Sequence, residues 1–568
     1  MKSSIKLIFF TFIVGTVLLS IGSETTVEAK ASDKNIQSAR YHFMCGSLYE
    51  LSNNFDKALK HYEIALAKDP DSPFLHVQIA LMYLRNENIN EAIKITENAL
   101  KINKNFLPAL KLLGQLYNTK HRDNDTIKIY QRIIEIAPED VSAHLFLAGF
   151  YWTKKDSESA FKIMKTFVEK YPDNFMSNYY LGLFYMEIKD NVNAEKYLLK
   201  VIELKPDFYD AWLNLGLIEE AKGNNVAAAK YFSRSIELNP DNLKAREKLS
   251  RIYIDNKEYD KAIEELITIS KVLPDNLDIH MRIGLLYMEG EKYDNAITEL
   301  SLVKNSNPKH VLSRYYLSLV YETLSRFDEA LIELKEILLI EPLNINALIR
   351  IAFIYSEQKK YQEAIEYYLE VLKQNPDKPE YYLYTAITYI AMKDPQKAIE
   401  YLNIGITKFP QDDDLYFNLA VAYDKLNKFE ETETYLKKTI SLNPKHSDAL
   451  NYLGYSYVDK GIMLDTALDL IKQALAIKPE SAFIIDSLGW CYYKQGKYED
   501  ALREIKRSIE IVGTDAVIYE HLGDIYSKLN KKEESLKAYR QSLKLHKDEE
   551  GLPKRVTNKI NAIITRDK

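Results

Sequence analysis

Four histidines occupy the same position in a pattern that repeats along the chain. His42, His76, His144 and His280 each lie seven residues before a recurring aromatic position. Histidine is the side chain best suited to bind metals or move protons near neutral pH, so one interpretation is a ladder of such sites. The other is that a ring fills a packing position. We favour packing, because only His42 and His76 are in neighbouring repeats and neither has further ligands.

Other residues with reactive side chains are sparse. Cys45 and Cys491 are the two cysteines, and they lie so far apart in a repeat array that we expect no disulfide between them. The sequence contains no H-E-x-x-H, G-x-S-x-G, P-loop or C-x-x-C motif. We therefore predict no catalytic residues, no metal site, no cofactor and no enzymatic activity.

The composition favours helices and excludes strongly charged partners. Of 568 residues, 76 are basic and 82 acidic, and the net charge of −6 is too small to indicate nucleic-acid binding. Glycine (18) and proline (17) are both scarce for this length, which suits an all-α fold. A chain this long either contains several domains or is a repeat array.

The elements that would position any site follow a period of 34 residues. Tyrosine occupies fourteen of fifteen equivalent positions, with Glu219 at the sixth and one residue inserted near Gly461. The tyrosines are Tyr49, Tyr83, Tyr117, Tyr151, Tyr185, Tyr253, Tyr287, Tyr321, Tyr355, Tyr389, Tyr423, Tyr457, Tyr492 and Tyr526. A small residue stands three positions before each of them, and another stands nine positions after.

Each repeat is predicted to be a pair of helices. Two small residues, one on each helix, allow the backbones to approach closely where the helices cross. A proline at a constant position, as in Pro240, ends the second helix because it lacks an N–H and clashes with the preceding turn. The Asp or Asn that often follows, such as Asn242, can accept hydrogen bonds from the free N–H groups of the next helix.

These signals resemble the tetratricopeptide-repeat (TPR) family, and the segment Asp210 to Gly216 (DAWLNLG) is close to its consensus opening. The resemblance implies a right-handed α-solenoid superhelix of about fifteen hairpins over residues 39–547, preceded by a short lead-in at 32–38. It also implies that the repeated tyrosines pack between hairpins. Residues 548–568 are predicted to form a capping helix and tail, since Val556, Ile560 and Ile563 share one helix face.

The first residues differ in kind from the rest. Residues 1–31 contain Lys2 and Lys6, an apolar run from Leu7 to Gly22, and a small-x-small sequence ending at Ala31. This pattern is typical of a secretory signal peptide cut before Ser32; an uncleaved membrane anchor is the alternative. Under either interpretation the chain after residue 31 is exported, so we predict a periplasmic location. Membrane contact is expected through residues 1–31 alone, if they are retained.

In the TPR family the first helix of each hairpin lines the concave inner wall of the superhelix. The positions that the resemblance places there carry more apolar side chains than solvation requires, which favours a partner-binding groove. The candidate residues are Phe74, Leu81, Leu145, Trp152, Met176, Tyr179, Leu183, Met186, Met281, Leu285, Met288, Phe353, Ile387, Phe417, Phe483, Trp490 and Tyr493. The alternative for many of them is packing against the neighbouring hairpin.

Two non-enzymatic functions follow from this reading. The first is a protein-binding scaffold of the bacterial cell envelope, which holds other proteins or peptides in the groove. The resemblance of residues 449–490 to exported TPR proteins of Gram-negative bacteria favours it. The second is a structural subunit of an exopolysaccharide synthesis or export machine that contacts glycan through Asp424, Asp448, Asp459 and Trp490.

Overall fold

The computed structural model describes residues 34–546 and 551–565, so the predicted signal peptide or anchor at 1–31 lies outside the described residues. Within the described ranges every regular element is an α-helix. None of these helices is long and apolar enough to cross a membrane. The chain divides into two compact units, Met1–Asp275 and Asn276–Lys568.

The described residues of unit 1 form seven helical hairpins. The first helix, α1, begins at Lys34, before the start predicted at residue 39. The hairpins are α1 (Lys34–Leu51) with α2 (Phe55–Lys68), α3 (Pro73–Arg85) with α4 (Ile89–Ile102), α5 (Leu107–Thr119) with α6 (Asp123–Ile136), α7 (Val141–Thr153) with α8 (Ser157–Lys170), α9 (Phe175–Glu187) with α10 (Asn191–Leu204), α11 (Tyr209–Ala221) with α12 (Asn225–Leu238), and α13 (Leu243–Asp255) with α14 (Tyr259–Val272).

In unit 2 the part of the chain that the structure describes forms eight hairpins and one further helix. They are α15 (Leu277–Glu289) with α16 (Tyr293–Ser306), α17 (Val311–Thr323) with α18 (Phe327–Ile340), α19 (Ile345–Glu357) with α20 (Tyr361–Gln374), α21 (Pro379–Ala391) with α22 (Pro395–Lys408), α23 (Asp413–Lys425) with α24 (Phe429–Leu442), α25 (Ser447–Lys460) with α26 (Leu464–Ile477), α27 (Ala482–Lys494) with α28 (Tyr498–Ile511), α29 (Ala516–Lys528) with α30 (Lys532–Leu545), and finally α31 (Leu552–Thr565). The expected all-α fold of about fifteen hairpins is confirmed.

The helix ends follow the predicted capping chemistry. In hairpin 7 the side-chain oxygen of Asn242 accepts a hydrogen bond from the N–H of Ala245 at 3.2 Å. Within a hairpin, the first helix ends in a turn. The residue four positions after the repeat tyrosine has a left-handed backbone in this turn, as Ser325 does with φ 56°. The N–H of Arg326 then closes this turn on the carbonyl of Tyr321 at 2.8 Å. The same turn therefore sets the angle between the two helices of each repeat.

The repeated tyrosines join one hairpin to the preceding one. Tyr117 donates its hydroxyl hydrogen bond to Glu97 of the hairpin before it, at 2.8 Å, and Tyr457 donates to Glu433 at 2.6 Å. Both rings are buried. The ring of the repeated tyrosine thus packs between hairpins, and its hydroxyl group forms a hydrogen bond, as a buried tyrosine hydroxyl usually does.

The small residue of each first helix faces a large side chain of its own second helix. A Cβ atom added at Gly216 would lie 2.5 Å from Cε1 of Phe232, and one added at Gly523 would lie 2.4 Å from Cδ1 of Tyr539. These distances are far below van der Waals contact. The close crossing of the two helices therefore depends on the missing side chain.

Helix α31 covers the last hairpin. Its Leu552 and Val556 are buried against Ala516 of α29 and Tyr539 of α30. A terminal hairpin of a repeat array has an apolar face that no further repeat covers, so such a lid lowers the exposed apolar area.

Candidate partner-binding surface

All seventeen side chains of the predicted groove lie on first helices of hairpins, eight in unit 1 and nine in unit 2. None of them is fully buried, and Phe353, Ile387 and Phe483 are 41%, 45% and 59% exposed. Successive first helices contact one another, as α7 contacts α9 in unit 1 and α21 contacts α23 in unit 2. We call the surface that they form within each unit the first-helix face of that unit.

On the first-helix face of unit 1, the aromatic residues also pack between hairpins. The ring of Trp152 lies 4.9 Å from that of Phe184 in the next hairpin. The ring of Tyr179 lies 4.9 Å from that of Phe208, edge to face, and its hydroxyl accepts a hydrogen bond from Asn214 at 3.3 Å. Burial raises the pKa of Tyr179 above its usual range. Replacing Trp152 or Tyr179 would therefore disturb the stacking of hairpins as well as the surface.

On the first-helix face of unit 2, three exposed apolar side chains lie beside a cavity of about 430 Å³. Phe353 and Tyr384 line the cavity, and Ile387 lies one helical turn beyond Tyr384 on α21. Tyr384 is 38% exposed, close to the values for Phe353 and Ile387. The remaining lining residues are Tyr315, Asn346, Ile349, Arg350 and Tyr368. We call this feature the aromatic cavity.

An ion pair supports one wall of the aromatic cavity. Arg350 donates from one guanidinium nitrogen to Glu322 of the preceding hairpin at 3.3 Å. Burial raises the pKa of Glu322, and the second carboxylate oxygen of this residue has no hydrogen-bond partner among the described residues. A guanidinium carries five N–H donors, so Arg350 can offer further donors beside the apolar walls. The cavity can thus hold an apolar side chain and bind an oxygen next to it.

The sequence pattern predicted only part of this cavity. Phe353 and Ile387 are at a predicted groove position, two residues before the repeat tyrosine. Arg350 and Tyr384 lie five residues before it, at a position that the expected pattern of inward-facing residues did not include, whereas Tyr315 lies six residues before it, as the predicted Leu145 and Tyr179 do, but was not among the predicted residues. The signal that could have found them is an aromatic or arginine residue at those positions in three successive repeats.

Towards the C-terminus three predicted groove residues pack against other rings of the chain. Trp490 is parallel to Tyr493, with ring centroids 4.6 Å apart, and parallel to His521, with ring centroids 4.1 Å apart. Phe417 packs on His446, with ring centroids 4.8 Å apart. These contacts match the packing alternative for Trp490, Tyr493 and Phe417, whereas Phe483 remains open to solvent.

His521 makes the stability of the last two hairpins depend on pH. It is 5% exposed, and its Nδ1 lies 2.9 Å from a carboxylate oxygen of Asp486. Burial lowers the pKa of His521, but the charges of Asp486, Asp524 and Glu520 outweigh burial and raise it. The stabilisation is therefore complete below the unfolded-state pKa of about 6.5 and is lost as pH rises through the higher folded-state pKa.

We expect the urea midpoint of unfolding of the last two hairpins to fall as the pH is raised above about 6.5. His521→Gln removes the titrating group and should flatten this dependence, while His76→Gln, a histidine with no carboxylate partner among the described contacts, should leave it unchanged. Urea titrations at a series of pH values, in which hydrogen exchange monitors the unfolding of these two hairpins, measure how the midpoint depends on pH. An equally steep fall in the His521→Gln protein would contradict the assignment.

The four histidines of the shared position serve packing and local hydrogen bonds. The Nδ1 atoms of His76 and His144 each lie 2.9 Å from a backbone carbonyl of their own helix start, while His280 pairs with Glu299 at 2.7 Å. His42 lies against His61. In five other hairpins the residue at this position donates to the carbonyl of the proline that ends the preceding hairpin; these residues are Asn178, Trp212, Arg246, Arg314 and Tyr382. The position thus fills the junction between hairpins.

One group of side chains has the composition of a cation site. Potential ligand atoms of Asp413, Asp414 and His446 lie within 4.8 Å of one another. However, Nδ1 of His446 accepts the N–H of Ala449 at 3.1 Å, so in the neutral ring Nε2 carries the proton. A protonated Nε2 faces Asp414 at 3.4 Å as a donor and offers no lone pair to a metal. We therefore assign His446 to helix capping, with Nε2 of its neutral ring close to the Asp414 carboxylate.

The fold and its surfaces define a class of protein: an array of helical hairpins that acts as a protein-interaction scaffold. Family models described as tetratricopeptide repeat match much of the chain, and the chain belongs to this family. They match residues 190–243, 219–281, 281–342, 345–378, 380–412, 413–446 and 516–548, and a model of the N-terminal TPR repeats region of Psidin matches 47–177. TPR arrays generally mediate contacts between proteins.

Individual relatives are similar over short stretches or at low identity. A TPR repeat-containing protein of Pseudomonas aeruginosa is 44% identical over 55 residues, which is 10% of this chain and 9% of that protein's length. A chain of the APC/C hetero-tetramer Cut9-Hcn1 is 14% identical, with a TM-score of 0.38, covering 85% of this chain and 95% of that one. Yeast Tom70 is 13% identical, with a TM-score of 0.35, covering 94% and 96%. None of these likenesses bears on what the chain binds.

Proposed function

We propose that this protein is a non-enzymatic scaffold of the bacterial cell envelope that holds partner proteins or peptides on its first-helix faces. The observation that carries the proposal is the aromatic cavity of unit 2, where Phe353, Tyr384 and Ile387 leave apolar surface exposed. Large exposed apolar patches on a folded protein usually mark an interaction site. The donors of Arg350 beside them suit a peptide that presents an apolar side chain next to a carbonyl or carboxylate oxygen.

The envelope location rests on residues 1–31. Their charged start, apolar run and small-x-small ending favour export, with retention as an inner-membrane anchor as the alternative. Both place the hairpins in the periplasm. Mass spectrometry of the N-terminus of the protein recovered from cells tests this part, because export with cleavage would leave Ser32 as the first residue.

The glycan-binding alternative has less support, because two of its three acidic residues, Asp424 and Asp448, are engaged within the chain. Asp424 accepts a hydrogen bond from the hydroxyl of Tyr452 at 2.8 Å. Asp448 pairs with Lys478 through both carboxylate oxygens, at 2.9 and 3.0 Å. The ring of Trp490 stacks on those of Tyr493 and His521, so a sugar would have to compete with rings of the chain itself for this side chain. Protein binding is therefore the function that we favour.

Phe353→Ala with Ile387→Ala is expected to weaken partner binding at least tenfold, because exposed apolar anchors contribute most of the affinity of such surfaces. Neither side chain is buried, so the free energy of unfolding should change by less than about 1 kcal/mol. The measurement is quantitative affinity capture from envelope extracts after crosslinking, followed by titration of the purified partner.

The matched control replaces exposed apolar residues on a second helix of the same unit. Ile332 and Leu339 of α18 are 60% and 76% exposed, and Ile332→Ala with Leu339→Ala should leave partner binding intact. Equal affinity in both double variants, or equal loss in both, would count against the first-helix face as the binding surface. Glycan binding without any protein partner would instead support the alternative.

A further inference from the structure

In five hairpins a side chain reaches across the junction to the proline that ends the preceding hairpin, and in two of them it is a long arginine. In hairpin 7, Nε of Arg246 donates to the carbonyl of Pro240 at 2.9 Å, and its guanidinium also pairs with Glu265 on the second helix. Arg314 makes the same two kinds of contact in hairpin 9. One side chain thus bridges the end of one hairpin and the second helix of the next, and occupies the space between them.

Hairpin 4 lacks this bridge. The equivalent residue, His144, is shorter and directs Nδ1 to the carbonyl of Asp140 in its own helix start. The residue nineteen positions later, where hairpin 7 has a glutamate, is Ile163. Among the described residues no side chain donates to the carbonyl of Pro138. The junction holds instead a cavity of about 750 Å³, lined by Pro138, His144 and Ile163 together with residues of α6 and α8.

This cavity, which we call the junction cavity, has an apolar and aromatic part. Its lining also includes the polar residues Gln131, Ser159 and Thr166. Phe167 lies with its ring centroid 4.2 Å from that of His144 and 4.9 Å from that of Tyr171. Ile134 of α6 and Ile163 of α8 complete the apolar lining. A volume of about 750 Å³ is within the range of small-molecule sites, which is roughly 300–1,000 Å³.

Two hydrogen-bond acceptors without a partner in the part of the chain that the structure describes belong to residues that line the junction cavity. The Pro138 carbonyl is one of them, because the donor that satisfies the equivalent carbonyl in hairpin 7 is missing here. The second is Nε2 of His144. Burial lowers the pKa of His144, so the ring is neutral near pH 7, and Nδ1 uses its proton on Asp140, which leaves the lone pair of Nε2 free.

The rim of the junction cavity carries more positive than negative charge. Lys162 and Lys170 both line it, both are exposed, and neither has an ion-pair partner among the described residues. Lys170 also lies over the ring of Tyr171, at 5.4 Å from its centroid. Glu135 is the one carboxylate of the lining. An anionic group at the rim would therefore meet two ammonium groups.

We propose that the junction cavity is a binding site for small aromatic carboxylic acids whose ring carries an N–H or O–H donor. The ring packs against Phe167 and Tyr171, the donor bonds to the Pro138 carbonyl or to Nε2 of His144, and the carboxylate lies near Lys162 and Lys170. Such a ligand supplies the planar group and the donor that Arg246 supplies to its own junction. None of the predicted groove residues lines this cavity.

Ligand-observed NMR with the full chain tests the proposal, with indoleacetate as the probe. Naphthylacetate has the same shape without the N–H donor and should bind roughly fivefold to tenfold more weakly, the loss expected for one hydrogen bond. Indole, which lacks the carboxylate, should also bind more weakly. Equal affinity for indoleacetate and naphthylacetate, or no binding of indoleacetate at millimolar concentration, would overturn the proposal.

His144→Arg with Ile163→Glu rebuilds the bridge of hairpin 7 and fills the junction cavity. It should abolish indoleacetate binding. The matched control is His76→Arg with Ile95→Glu, the same pair of positions in hairpin 2, which should leave binding unchanged. Lys162→Glu with Lys170→Glu alters only exposed residues and should weaken indoleacetate at least tenfold while leaving indole unaffected. Unchanged indoleacetate binding in the filled or the charge-reversed variant would overturn the assignment.

Discussion

Replacing both Arg555 and Lys559 by methionine is expected to lower the free energy of unfolding of the last hairpin by about 3 kcal/mol or more. Glu520 of α29 is 2% exposed, and both of its carboxylate oxygens accept from Arg555, at 2.7 and 2.6 Å. Lys559 donates to Glu520 at 2.7 Å and to Asp524 at 2.6 Å. Methionine keeps the apolar stems of both side chains but leaves the buried carboxylate without a counter-charge.

The effect should be confined to the C-terminal end, because a repeat array transmits stability mainly between neighbours. Hydrogen exchange followed by mass spectrometry should show faster exchange in α29 to α31 and unchanged exchange in the first hairpins of unit 2. Lys554→Met is the control for charge removal alone, since Lys554 is exposed, and it should cost less than about 0.5 kcal/mol.

A third variant separates the buried charge from the loss of packing. Adding Glu520→Gln to the double variant removes the uncompensated carboxylate and should restore much of the lost stability. Burial alone would raise the pKa of Glu520, but Arg555 and Lys559 hold it below its usual range. The wild-type contribution is therefore present above the unfolded-state pKa of about 4.3 and is lost as pH falls through the folded-state pKa. No recovery in the triple variant would contradict the role given to Glu520.

The architecture could be predicted from the sequence because each hairpin repeats the same local chemistry. The tyrosine, the two small residues and the proline each determine one local feature: the junction, the helix crossing and the helix end. These features depend on residues within one repeat or its neighbour, so a period of 34 residues makes the same pattern visible many times. The extra helix α31 was expected for the same reason, since Val556, Ile560 and Ile563 lie on one helix face.

The surfaces could be predicted only in part, because they depend on how specific side chains turn at each junction. Position in the repeat placed Trp490 on the first-helix face, but whether its ring is free depends on His521 of the next hairpin. In the same way, His144 and Arg246 occupy the same position of the repeat in different hairpins. The junction beside His144 contains a cavity, whereas Arg246 extends across its own junction. Such differences arise from pairs of residues in different hairpins, which a periodic pattern does not specify.

The second large effect on stability is expected where a small residue of a first helix faces a large side chain of its second helix. Gly216→Ala is expected to lower the free energy of unfolding by about 2 kcal/mol, because the new Cβ would lie 2.5 Å from Cε1 of the fully buried Phe232. This loss includes the gain in helix propensity of about 1 kcal/mol that alanine brings over glycine. Urea unfolding, monitored by circular dichroism, measures this loss of stability. Gly223→Ala is unsuitable as a control, because that glycine has a positive φ.

A double-mutant cycle gives the sharper test, and the chain itself supplies the design. Ala386 with Leu402, and Ala420 with Leu436, occupy the equivalent positions in hairpins 11 and 12, and each pair lies within or beside one buried core. Gly216→Ala with Phe232→Leu copies these pairs and nearly conserves the total volume. It should therefore be more stable than the sum of the two single losses predicts, by at least about 1 kcal/mol. Additive losses would mean that the crossing relaxes around the added methyl group, and that close approach of the helices is not what the glycine provides.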